Sequence, residues 1–324
     1  MTTSQTSPIR VPTEQDAVRV LERVTGAQVS GISRFPTGLA NYVYDVTTER
    51  GESFVVRLAR PDLGSAFAGA VYWHGLLKPR GVPLPALLHV DLLGHADGFP
   101  AMVMERLLGT DLGVVHRDLT LEQKRTLAAQ IVVAQQTTGS LPPAAGFGYA
   151  RSYDDPALRD SWKSVVDAEL ERSRRRIERA GLLDPSHVDR VQRVVDHHEP
   201  YLARIESRAF LDDTTTKNVI VHNGALSGIV DVDVVCFGDR LFAPALTRMA
   251  LLSMGSDTDY VDIWESLLDL TAEQKRVSLL YTACFCAGFM SELGQAFNTD
   301  AADPVDWRYV RHLTSVLARL LATL

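Results

Sequence analysis

The stretch "LDDTTTKNVIVHNGALSGIVDVD", residues 211–233, constrains this chain more than any other. Asn223-Gly224 stands between two apolar runs. That pair is the strongest short-range signal for a two-residue hairpin turn, because both turn positions need positive φ. With the turn there, His222 pairs with Ala225 and Val221 with Leu226. In regular register the ladder then sets Asn218 opposite Ile229, with Asp231 two residues further on. Asn218 and Asp231 are expected at one open end of the hairpin, roughly 7–8 Å apart by strand geometry. Asp212 and Asp213 precede the hairpin, on a stretch whose three threonines suit a loop better than a helix or strand. Crowded carboxylates repel. A metal ion, a proton to move, or two polar turns would each account for the cluster.

The spacing bears on that choice. An amide oxygen and a carboxylate can share one hard cation, and Mg²⁺ takes oxygen ligands, commonly one or two carboxylates plus substrate phosphates. Asp213 lies five residues before Asn218, placed to accept a proton from an attacking hydroxyl. Asp, four intervening residues, Asn and a later Asp form the layout of phosphoryl transfer in kinases, where positioning and electrostatics carry most of the catalysis.

The remaining chain divides by periodicity. Residues 1–12 are rich in Ser, Thr and Pro and are expected to be a disordered tail. Thr13 with Asp16 three residues on predicts a capped helix that Gly26 ends. From 28 to 60 the period is two, and "QVSGISRF", "NYVYDVTTE" and "SFVVRLAR" predict a three-stranded meander with turns at 36–38 and 49–51. A helix over 65–77, an extended Pro-restricted segment and a buried strand in "GFPAMVMERLLG" follow. Beyond Gly109 helical spacing dominates, over 120–137, 155–181, 186–207, 241–254, 258–268, 272–296 and 304–323. The segment around the Asn-Gly turn is the exception. The expected architecture is α+β in two lobes, a small β-rich one over 13–107 and a larger helical one over 108–324.

Composition narrows the partners. A net charge of −7 on 324 residues lacks the basic face that nucleic acid needs, and is compatible with a cationic substrate. Three cysteines without a regular pattern suggest a reducing compartment. No hydrophobic leader and no apolar run of about 18 residues is visible. A soluble cytoplasmic protein away from the membrane is expected, and the oligomeric state is not readable. Cys284 and Cys286 suit core packing, and His197 and His198 point about 100° apart on a helix and do not chelate together. Asp257, Asp259 and Asp262 suit a helix start.

The chain resembles the aminoglycoside phosphotransferase and choline kinase group of small-molecule kinases, which have a protein-kinase-like fold. The family pattern is His-Gly-Asp, four residues, Asn, a hairpin, Ile-Asp-Trp-Glu and later Gly-Asp-Pro. Here "LDDTTTKN", "IVDVD" and "GDR" stand in its place. "FPTGLANYVYDV" resembles the phosphate-covering hairpin, "SFVVRLARP" the third strand, "GVPLPALL" the family's usual Val-Pro-x-Pro stretch and "AMVMERLLGTDL" the hinge that lies against adenine. The resemblance implies an ATP- and Mg²⁺-dependent phosphotransferase, with GTP as the alternative nucleotide, acting on a hydroxyl of an antibiotic, amino sugar or amino alcohol. It implies that Asp213 is catalytic and that Asn218 and Asp231 hold the metal, with Asp233 and Asp239 accessory and Asp239 bracing the loop. It places the nucleotide between the lobes under Thr37 and Gly38, with Arg57 and Lys217 toward phosphates and the backbone of Met104, Glu105 and Arg106 toward the base. The acceptor is expected against the C-terminal helices, in the region 255–310.

Three departures stand out. Leu211 and Asp212 replace the His-Gly, Arg57 replaces the third-strand Lys, and Ala70 stands near where the family has its pairing Glu. They leave a second reading, a nucleotide-binding pseudokinase with a regulatory or scaffolding role. The side chains of Asp212 and Asp213 are expected to diverge, one of them capping the loop.

Overall fold

A computed structural model describes residues 10–35, 41–60, 67–295 and 304–324. The chain falls into two compact units. One comprises Met1–Val71 and Pro85–Leu107, the other Tyr72–Leu84 and Leu108–Leu324.

The first unit opens on helix α1 (Glu14–Thr25), whose Thr13 and Asp16 form a reciprocal capping box and whose end is Gly26 at φ 67°. Residues 1–9 of the expected tail lie outside the described residues, but Arg10 is held. It reaches Asp16 at 2.5 Å and lies 4.5 Å from the Phe99 ring centre. Strands β1 (Val29–Arg34), β2 (Tyr42–Thr48), β3 (Ser53–Leu58), β4 (Leu87–Asp91) and β5 (Ala101–Glu105) form an antiparallel sheet in the order β1-β2-β3-β5-β4. Alternation in β2 turns Tyr42, Tyr44 and Val46 onto Ala17, Val20 and Leu21 of α1. A second apolar cluster joins Ala59, Phe67, Ala70, Met102 and Met104. Helix α2 spans Ala68–Leu77, and its residues from Tyr72 on count with the second unit.

The second unit is mainly helical. Its helices are α3 (Leu112–Val115), α4 (Leu121–Gly139), α5 (Trp162–Ala180), α6 (Ser186–His197), α7 (Glu199–Leu202), α8 (Phe242–Ser253), α9 (Asp259–Leu267), α10 (Ala272–Glu292) and α11 (Trp307–Thr323). Two small sheets break into it. Strands β6 (Thr110–Asp111), β9 (Val219–His222) and β10 (Ala225–Ile229) run in the order β10-β9-β6. Strands β7 (Gly148–Ala150), β8 (Arg208–Phe210) and β11 (Val235–Gly238) run β7-β11-β8. Trp162, Trp264, Tyr260, Tyr281, Phe210, Phe237 and Phe242 fill the core, and Cys236, Cys284 and Cys286 are buried free thiols.

Two expected helices are shorter than their spacing suggested. The first starts at Trp162 rather than 155, because Asp155 closes a loop on the amides of Arg151 and Ala157 and Ser161 caps the helix. The second, over 186–207, stops at His197, restarts for one turn as α7, and gives way to β8. Among the described residues no helix is long and apolar enough to cross a membrane.

Candidate active site

The hairpin turn forms as its sequence dictates. Asn223 at φ 51° and Gly224 at φ 77° turn the chain, with Ala225 opposite His222 and Leu226 opposite Val221. Beyond that the register shifts. Gly228 pairs with Ile220 and Ile229 with Val219, so Ser227 is an extra residue in β10. The ladder continues with Val230 donating its amide to Asn218 O at 2.9 Å. Asn218 therefore faces Val230 rather than Ile229, and Asp231 comes one residue past that partner rather than two.

The loop before the hairpin is fastened from several sides. Gln135 of α4 accepts the Leu211 amide at 3.0 Å and donates to the Leu211 carbonyl at 2.7 Å. Thr247 of α8 donates to Thr214 O at 3.1 Å, and the Gly113 amide of α3 donates to Thr216 O at 2.8 Å. Thr214, Thr215 and Thr216 are buried, so the three threonines anchor the loop rather than decorate it. Thr215 donates its hydroxyl to Asp213 Oδ1 at 2.6 Å and fixes that carboxylate, which stays partly exposed.

Asn218 is 8% exposed and donates Nδ2 to Asp213 O at 3.2 Å. A carbonyl only accepts, so this bond fixes which end of the amide is nitrogen and leaves Oδ1 as the end able to ligate. Asp231 is exposed and sits at φ 62°, a left-handed conformation that Asp tolerates better than most residues and that is frequent at functional sites. Among the described residues no group of three or more His, Cys, Asp or Glu side chains has metal-holding geometry. Two oxygen donors from the protein, with phosphates and water for the rest, suit Mg²⁺ and do not suit a metal needing an all-protein cage.

Asp212 is the site's electrostatic outlier. Burial, then the Asp213 charge, and more weakly that of Asp231 push its carboxyl up to about 8 from the ordinary 3.8. The expected divergence of the two neighbours is therefore incomplete, since Asp212 lies in the fields of both other carboxylates. Asp212 keeps partial surface exposure, whereas Asp239 is buried, and burial raises its carboxyl. It accepts from Tyr201 at 2.9 Å, from Tyr281 at 3.0 Å and from the Leu241 amide at 3.0 Å. Asp233 is half-buried in the bend before β11, and Lys217 is exposed on the turn before β9.

The other expected residues belong to the first unit. Arg57 is 5% exposed on β3, in register with Val43 and Met102, its guanidinium 5.4 Å from the Phe67 ring centre. Met104 is buried. Glu105 accepts the Ala86 amide at 2.9 Å and donates its own amide to Ala86 O at 2.9 Å. Arg106 donates Nε to Asp45 at 3.0 Å. The Glu105 amide is thus already paired, with Ala86 O. Thr37 and Gly38 lie outside the described residues. Sequence reasoning missed Gln135 and Thr247 as loop anchors. No local pattern distinguishes them, because each reaches the site from a distant helix.

The α+β fold is kinase-like, and its helical unit carries an Asp loop, an Asn and a hairpin-borne Asp. A family model described as the phosphotransferase enzyme family matches residues 31–265, and the chain belongs to that family. A search of curated proteins finds no match by sequence. Solved structures share the fold at low identity. Aminoglycoside phosphotransferase APH(4)-Ia, in a ternary complex with ADP and hygromycin B, is 12% identical over 95% of this chain and 98% of its own, with a TM-score of 0.68. A GDP complex of aminoglycoside 2'-phosphotransferase-IIIa is 16% identical over 96% and 98%, with a TM-score of 0.66. A candidate fructosamine-3-kinase from Thermobifida fusca is 16% identical over 95% and 98%, with a TM-score of 0.59.

Proposed function

We propose that this protein transfers the terminal phosphoryl group of ATP, or alternatively GTP, to a hydroxyl of a small molecule, with Mg²⁺ required. The observation that carries the reading is the shared end of the hairpin. Asn218 bonds the backbone of Asp213, and Asp231 follows directly after the residue facing Asn218. Asn218 Oδ1 and the Asp231 carboxylate would hold the metal. Mg²⁺ supplies neutralisation of phosphate charge when bound. Asp213, fixed by Thr215, orients the acceptor hydroxyl and takes its proton. Lys217 and Arg57 are the cations assigned to phosphates. The ADP and GDP bound by the structural relatives support a nucleotide donor and leave the base open.

One observation favours the binding-only alternative: Ala70, where a pairing Glu is expected, is fully buried among apolar side chains. Nucleotide hydrolysis, measured with and without Mg²⁺, decides between the two. Asp213→Ala is expected to lower kcat by about 10²–10⁴-fold with nucleotide affinity kept, the range for a lost proton acceptor. Asp231→Ala is expected to raise the Mg²⁺ concentration needed for half-maximal rate by about tenfold or more. A wild type that binds nucleotide without turning it over, or variants that match it, would sink the kinase reading.

A further inference from the structure

The chain has three cysteines and six methionines, and most of that sulfur is out of reach of solvent. Cys236, Cys284 and Cys286 are buried, and burial raises all three thiols, which keeps them protonated and slow to oxidise. Met102, Met104, Met249 and Met290 are at most 4% exposed. Met254, at the C-cap of α8, is 44% exposed. Among the described residues it is the one methionine whose residue surface lies open, and Met1 lies outside them.

The same sulfur touches the loop that carries Asp213. The Thr216 hydroxyl donates to Met254 Sδ at 3.9 Å. Thr216 is 3% exposed and stands between Asp213 and Asn218 in the chain. Its neighbour Thr215 fixes the Asp213 carboxylate at 2.6 Å. Thr216 is itself hemmed in. Its carbonyl accepts the Gly113 amide at 2.8 Å, and a Cβ added at Gly113 would stand 3.1 Å from the Thr216 Cβ. On the other side of the contact the Met254 carbonyl accepts from Arg117 Nη2 at 3.1 Å. Each partner of the sulfur contact is therefore tied to α3 or its C-terminal end by a second bond.

We propose that Met254 is a peroxide-sensitive modification site whose sulfoxide displaces the 213–218 loop and slows turnover. The co-reactant is a hydroperoxide. The sulfur lone pair attacks the O–O bond of hydrogen peroxide, one oxygen stays on sulfur, and the other leaves as water with both protons. Sulfur is oxidised by two electrons and the peroxide is reduced by two. A thioether is a weak acceptor, whereas the sulfoxide is polar and chiral. Its oxygen takes the Thr216 hydroxyl far more strongly than sulfur does, and it needs space between two segments that are each held from behind. Small displacements suffice, since a misplacement of about 1 Å costs roughly 10²-fold in rate. The effect on turnover rests on the kinase reading above, while the site of oxidation and the response of the loop do not.

The test treats the folded full chain with hydrogen peroxide. Peptide fragment spectra are expected to find oxygen on Met254 before any buried methionine or cysteine. Amide hydrogen exchange over 213–218 is expected to speed up, and nucleotide hydrolysis to slow by about threefold or more. Methionine sulfoxide reductases for both epimers are expected to restore exchange and rate. Met254→Leu conserves volume and has no sulfur to oxidise. Peroxide is expected to leave that variant at its own untreated exchange and rate. Oxidation of Met1 occurs in both chains and cancels in the comparison. The proposal fails if a buried sulfur is oxidised first, or if exchange over 213–218 is the same before and after oxidation of Met254. It fails equally if Met254→Leu responds to peroxide as the wild type does, or if hydrolysis proceeds unchanged in the oxidised chain. A wild type that hydrolyses no nucleotide before treatment sinks the kinase reading alone, and the exchange comparison then decides between a site coupled to the loop and an inert one.

Discussion

Asp212 and Asp213 are adjacent in the chain and differ in circumstance. The meeting of Asp213 and Asn218 on one loop was legible from their spacing, since a loop carboxylate five residues ahead of an amide is a local pattern. The neighbouring Asp212 was legible as a departure only. The packing around its partly exposed side chain, which with the Asp213 charge pushes the carboxyl up to about 8, comes from elements that no local reading places. An unfolded Asp titrates near 3.9. The folded state thus holds the proton more tightly, and the stability this supplies is full below about pH 4 and is lost as pH rises through about 8. Asp212→Asn keeps the shape and removes the titration. In protein free of metal and nucleotide, the variant is expected to gain on the wild type by a few degrees or more of Tm between pH 5 and pH 9. Parallel Tm curves across that range would show that Asp212 is ionised in the fold.

At the scale of the element, the Asn-Gly turn was legible because two positive φ values are a demand only a few residues meet. The register beyond it was not. Edge-strand amides that point away from a ladder recur every two residues in a regular strand. In β10 the amides of Leu226 and Ile229, three apart, are both taken from outside, by Gln130 Oε1 at 2.9 Å and by Pro83 O at 2.8 Å. Only an extra residue between them satisfies both, and both partners are remote in sequence. The β7-β11-β8 sheet escaped notice for a related reason, since its strands have three or four residues and show no period. Its end at Gly238 carries the next expectation. A Cβ there would stand 2.1 Å from the Trp162 ring, which donates Nε1 to the Tyr281 hydroxyl at 2.8 Å. Tyr281 in turn bonds Asp239. Gly238→Ala is expected to cost about 2–3 kcal/mol or more through displacement of that ring, read by chemical denaturation and by a changed near-ultraviolet tryptophan signal. A wild-type midpoint would mean the ring yields freely.

At the scale of the whole molecule, the switch from a period of two to a period of 3.6 near Gly109 was legible, whereas the placement of polar groups deep in the helical unit was not. His116 is the clearest case. It is fully buried at the end of α3, with neither ring nitrogen hydrogen-bonded. Burial lowers its pKa from the ordinary 6.5, the Lys124 charge lowers it further, and Asp257 at 3.9 Å pulls the other way. Burial wins because Asp257 already accepts from Lys124 at 2.7 Å, which spends much of its field. The folded imidazole is therefore neutral where the unfolded one takes a proton. That stability is complete above about pH 6.5 and is lost as pH falls through the window between the unfolded and folded values. Six carboxylates held low by their hydrogen bonds, Asp16, Asp91, Asp155, Asp184, Asp196 and Asp257, act only in the more acid range below about pH 4. The interval from pH 6.5 to 5 thus belongs mainly to His116 on the acid side. His116→Gln, which keeps polar atoms but cannot titrate, is expected to flatten the decline of Tm across that interval while leaving the steeper loss below pH 4 in place. An unchanged slope between pH 6.5 and 5 would mean that the acid sensitivity arises from other groups and that His116 takes its proton without opening the fold.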